Sequence, residues 1–153
     1  MNNRSNNHTI VKDIGLTLLT EGKTIRIKAH GFSMYPCIRP GSLILIEPLN
    51  IKGLPKPGEI IAIRRESGLI VHRLTKIINK SGATYYIARG DSNAYADNPV
   101  KIEKIAGRIV RAESTGENPV VADIRVNTKP KYFVNRIRVI GIILYKKINN
   151  LLR

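Results

Sequence analysis

A hydroxyl, an imidazole and a carboxylate stand in three separate segments of this chain, each beside turn-forming residues. Ser33 lies in Gly31-Phe32-Ser33-Met34-Tyr35-Pro36 and His72 in Leu69-Ile70-Val71-His72-Arg73, while Gly90-Asp91-Ser92-Asn93 carries one acid and Asp97 follows closely. These are the parts of an activated serine nucleophile: a base to take the hydroxyl proton and a carboxylate to orient that base. Imidazole suits the base role because it ordinarily titrates near about 6.5, whereas a lysine must first be desolvated until its pKa falls by several units. Asp97 and Asp91 both qualify to orient His72. Asp97 is favoured, with Asp91 then bracing its turn or pairing Arg73 or Arg89. The Ser33 backbone N–H is the one oxyanion-hole donor that can be named, and Met34 and Tyr35 flank the serine where they would line a substrate cleft. Cys37 reads as a small buried hydrophobe. His8 and His30 have no acidic companions, so neither a metal site nor a cofactor is expected.

Strands must position these groups. Thr24 to Ala29 alternates with period two, and Ser42–Glu47, Glu59–Arg65, Leu69–Ile78, Ala83–Arg89 and Ile105–Ala112 are further short apolar runs separated by Gly and Pro. A hairpin is expected at Ser67-Gly68. At least six short strands point to a mainly β, compact coiled sheet or barrel. Before them, Ile10, Val11, Ile14 and Leu18 recur at helical spacing from His8 to Thr20, with Gly22 as the stop. After them, Phe133, Ile137, Ile140, Leu144, Ile148 and Leu151 fall on one face of a basic amphipathic helix. The chain reads as a single domain, 1–153, made of an N-terminal helical segment (1–22), a β core (23–113) and a basic tail carrying the amphipathic helix (114–153).

Composition bounds the function classes. The chain has 153 residues, 42% of them hydrophobic, which is enough for one real core. A single cysteine excludes internal disulfides and cysteine-rich zinc sites and fits a reducing, cytoplasmic compartment. Twenty-six Lys and Arg against 11 Asp and Glu give a net charge of +15, and no acidic residue follows Asp123. Such a tail is drawn to phosphates, of nucleic acid or of anionic lipid. Nucleic acid is the disfavoured partner, because a stacking platform needs aromatics interleaved with the cations and the chain has six Tyr, two Phe and no Trp. The apolar run Val139 to Tyr145 is far short of the roughly 20 residues a membrane span needs, and Met1 to Asn7 lacks the apolar core of a secretory signal. The C-terminal helix would either pack on the sheet or lie peripherally on an anionic membrane surface with its apolar side among the lipids.

In this order and spacing, the three segments resemble the nucleophile, base and Gly-Asp boxes of signal peptidase I and of the LexA-type self-cleaving repressor domains. The resemblance covers about Lys28 to Val110. It implies a serine endopeptidase with Ser33 as nucleophile and His72 as base. Histidine at that position is the archaeal, endoplasmic-reticulum and sporulation-type variant; most bacterial members carry lysine. A peptide or precursor-protein substrate, cut after small side chains such as Ala, follows from the same resemblance. Two features depart from it. Gly31 stands where many signal peptidases place a serine hydroxyl in the oxyanion hole, and no membrane span is present. Self-cleavage is not expected, because the segment before Ser33 reads as a helix and a strand. A basic β-barrel that binds nucleic acid and a catalytically silent, peptide-capturing relative are the alternative readings.

Overall fold

The computed structural model describes residues 14–66, 68–114, 121–122 and 131–152. Within them the order is α1 (14–20), β1 (Ile25–Lys28), β2 (Leu43–Glu47), α2 (Leu49–Lys52), β3 (Ile60–Arg65), β4 (Gly68–Lys80) and β5 (Ala83–Arg89). A single 3₁₀ turn (Ile102–Lys104), β6 (Ile105–Glu113), β7 (Val121–Ala122) and α3 (Tyr132–Leu151) follow. The protein is mainly β with a helix at either end, as its periodicities predict. The part of the expected first helix from His8 to residue 13 lies outside the described residues.

The strands form one antiparallel sheet in the order β1-β2-β6-β3-β4-β5, and the two-residue β7 adds to β6. The end strands β1 and β5 do not pair with each other, so the sheet is open rather than a closed barrel. Register shifts at Leu45/Ile46, Ala62/Ile63 and Leu74/Lys76 insert extra residues that bend it. Two hairpins extend β4 at both ends. Arg65 pairs with Gly68, and Lys80 pairs with Ala83 across Ser81-Gly82, both of which have positive φ as a tight two-residue turn requires.

Side-chain alternation explains the core. In β2, Ile44 and Ile46 point inward while Leu43, Leu45 and Glu47 are less covered. β3 is different: its Ile60-Ile61-Ala62-Ile63 run is buried throughout, as expected of a strand covered on both faces. Ile60 and Ala62 join a cluster with Leu19, Met34, Ile38, Ile44 and Ile109. Ile61 and Ile63 join Leu74, Tyr86, Ala88, Val100 and Ile105 on the other face. Each Ile, Leu, Met or Val among them contributes about 1.5–3 kcal/mol when taken fully out of water. The sheet therefore separates two small cores, and β4, beside β3, presents alternate residues to each.

Candidate active site

The segment around Ser33 is a compact turn. Tyr35 N–H donates to the Phe32 carbonyl (2.9 Å) and Ile38 N–H to the Met34 carbonyl (2.9 Å). Gly31 has φ of +77°, a left-handed conformation that side-chain-bearing residues seldom adopt. The backbone itself thus calls for glycine two positions before the serine. Met34 is 4% exposed and belongs to the first core cluster, which anchors the turn from below.

The Gly-Asp segment is sewn to this turn. Ser92 N–H donates to the Ser33 carbonyl (2.9 Å), and Ser92 Oγ donates to the Phe32 carbonyl (2.6 Å). Gly90 passes so close that a Cβ there would sit 2.7 Å from the Ser33 carbonyl oxygen. Only glycine fits such an approach. The sequence shows two unrelated turns; the fold makes them one unit.

His72 and Arg73 come from β4, opposite Ile61 and Ile60 respectively. Because those two isoleucines lie in different clusters, the histidine and the arginine face opposite sides of the sheet. His72 Nδ1 lies 2.6 Å from Asp97 Oδ2. An ionised carboxylate can only accept, so in the neutral imidazole Nδ1 carries the hydrogen and Nε2 is free to take a proton. Asp97 is held in place by its own N–H, which donates to the Ala88 carbonyl of β5 (2.7 Å). Of the two acids, the one paired with His72 is Asp97.

Asp91 engages Arg73 instead. Arg73 Nε and Nη2 donate to the two carboxylate oxygens (2.9 and 2.7 Å), and Nη1 donates to the Gly58 carbonyl (2.8 Å). Burial alone would lower the guanidinium pKa, but the hydrogen bonds to Asp91 and its negative charge outweigh this, so it lies above its ordinary value. Cys37 lies beside Arg73 and packs against the first cluster. Arg89 does not pair with either acid: it donates to the carbonyls of Asn93 (3.2 and 2.9 Å) and Ala94 (2.9 Å), clamping the loop that carries Asp91 and Asp97.

Ser33 opens on a cleft of about 710 Å³ lined by β1, by Ala29-His30-Gly31, by Met34 and by the first residues of β4, Gly68 to Val71. The hydrogen bonds that hold Ser33 run through its backbone; among the described residues its hydroxyl is not bonded to His72, the residue that follows this lining in β4. Tyr35 lies outside the lining, since its ring packs against Phe32 at a centroid distance of 6.4 Å. The cleft has a particular architecture. β1 is an end strand of the sheet, and β5 pairs with β4 only from Arg73 onward. Two free strand edges therefore border it among the described residues.

Three contributors escaped the reading of the sequence. Asn135 of α3 is buried and donates from Nδ2 to the Asp91 carbonyl (3.0 Å). The Tyr132 ring lies 3.7 Å from the Arg89 guanidinium carbon, and Lys146 Nζ is 5.5 Å from the Phe32 ring centroid. Long sequence separation hides such contacts; the only local sign was a polar Asn closing the apolar first turn of the helix. No family model matches the sequence, and no curated protein matches it significantly.

Proposed function

We propose that this protein is a serine endopeptidase of the signal peptidase type, acting on a precursor or leader peptide. The observation that carries the reading is the 2.6 Å His72–Asp97 pair on the strand that also lines the Ser33 cleft. In this reaction Ser33 Oγ attacks a peptide carbonyl while His72 Nε2 takes its proton, and Asp97 stabilises the imidazolium that forms. The Ser33 N–H donates to the developing oxyanion. Collapse of the tetrahedral intermediate passes the proton from His72 to the leaving amine and leaves an acyl group on Ser33. Water, activated by His72, then hydrolyses that ester. The free edges of β1 and of Gly68 to His72 suit an extended peptide, whose main chain can add to both. The single cysteine keeps a reducing, cytoplasmic location as the proposed one.

The test compares wild type with Ser33→Ala on peptides containing Ala-x-Ala sites, with cleavage followed by mass. Hydrolysis by wild type and a loss of at least about 10³-fold in the variant are expected. Equal rates in the two proteins remove Ser33 as nucleophile. Peptide binding without cleavage by either protein selects the silent, peptide-capturing alternative, for which the two free edges are the supporting observation. Tight, salt-dependent binding of DNA or RNA without either activity selects the nucleic-acid reading.

A further inference from the structure

α3 turns its wider apolar face away from the body, the second of the two orientations that its sequence left open. Its less exposed positions, Tyr132, Asn135, Val139 and Ile142, share one face, and this face meets the body through the Tyr132–Arg89 and Asn135–Asp91 contacts. At 3.6 residues per turn, Phe133, Ile137, Ile140, Leu144, Ile148 and Leu151 fall on the opposite face. Each of the six is between 47% and 77% exposed. The wide apolar stripe thus points away from the core, along a helix about 30 Å long. No helix among the described residues is long and apolar enough to cross a membrane, so this stripe is not a span.

We propose that the outward face of α3 seats the protein on an anionic lipid surface, with the helix lying in the plane of the interface. Charge selects this occupant. Within α3, Arg136, Arg138, Lys146 and Lys147 are unaccompanied by any Asp or Glu. Arg136 and Lys147 border the apolar stripe on one side and Arg138 lies beyond it on the other, where their long side chains reach headgroups while the stripe enters the acyl boundary. A second copy of the helix would bring Arg136, Arg138 and Lys147 again and no carboxylate to meet them, so self-association through this face opposes like charges. Anionic lipid supplies the missing sign. Asn135 and Tyr132, on the far side, tie the seated helix to the loop carrying Asp91 and Asp97, which holds the cleft at a fixed attitude to that surface.

Flotation of the full chain with two kinds of vesicle tests this, and it needs no peptidase activity. One is phosphatidylcholine alone, the other phosphatidylcholine with an equal amount of phosphatidylglycerol. Partition stronger by more than about tenfold on the anionic vesicles is expected, weakening as salt is raised. Ile137→Asp with Leu144→Asp should abolish it. Arg136→Gln with Lys147→Gln, changes at exposed positions that leave the fold intact, should remove most of the preference for the anionic vesicles. The proposal is overturned by no partition onto either vesicle, or by partition that none of these substitutions alters. It is equally overturned if wild type sediments as a dimer, the double Asp variant as a monomer, and neither floats.

Discussion

His72 and Arg73 are consecutive residues, and each is held by an aspartate from the same loop, yet the two pairs are built for different work. Arg73 and Asp91 are almost fully buried, at 2% and 3% side-chain exposure, and share two parallel hydrogen bonds. Arginine does not give up its proton in proteins, so this pair is permanent and acts as framework. His72 and Asp97 share a single bond, and Asp97 is 19% exposed. Unlike the guanidinium, the imidazole can both take up and release a proton, and Asp97 beside it keeps some contact with water. Strand alternation keeps the pairs on opposite faces of the sheet. One carboxylate type, in one loop, thus serves as a fixed brace on one side and as partner to a titratable group on the other.

The two pairs should differ most at Asp97. Replacing it with Asn keeps the shape but favours the wrong tautomer, and peptide hydrolysis should fall on the order of 10³- to 10⁴-fold, about 4–5.5 kcal/mol of transition-state stabilisation. Urea unfolding of the same variant should move by no more than about 1 kcal/mol. Asp91→Ala should do the reverse: an unpaired buried guanidinium costs about 3–5 kcal/mol, read as a lowered urea midpoint. If Asp91→Ala unfolds like wild type, Asp91 is no brace. Gly90→Ala sharpens the link between the regions, because its Cβ must push the Ser33 carbonyl. A loss of about 1–3 kcal/mol is expected from the overpacking, together with slower hydrolysis; a change in stability alone would uncouple Gly90 from the serine turn.

The smallest effect concerns Tyr132, where α3 meets the loop. Burial, then the charge of Asp91, raises its pKa above the usual tyrosine value, with Arg89 and Arg73 pulling the other way. The folded state therefore favours the neutral phenol. That contribution is fully present below about pH 10, the ordinary tyrosine value, and is lost as pH rises through the folded-state pKa. Subtracting the tyrosinate absorbance titration of Tyr132→Phe from that of wild type should leave one group titrating above the ordinary range.

Most of the sheet was legible because its strands obey period two and are punctuated by Gly and Pro, and β3 announced its double burial as an unbroken apolar run. The length of β4 was underestimated: Asn79 and Lys80 are polar, and hairpin pairing with β5 rather than burial carries the strand to its end. Spacing could not choose between Asp91 and Asp97, since both lie in one loop within reach of β4. Packing against opposite faces made the choice. For α3, periodicity revealed an apolar stripe but not what it faces, because amphipathicity does not distinguish a core from any other apolar neighbour. The contacts of Asn135 and Tyr132 depend on where the helix comes to rest, a long-range outcome that no local pattern encodes.

The two unpaired strand edges beside Ser33 have a consequence for turnover. In the proposed reaction, a peptide lying between β1 and Gly68 to His72 would be held by segments on both sides of the bond to be cut, and each segment, once bound, would keep the other at high effective concentration. Scission would remove that linkage. Each fragment would then depend on its own part of the ladder, so the proposed reaction would itself loosen the grip on its products, with release following from chemistry without a separate opening motion.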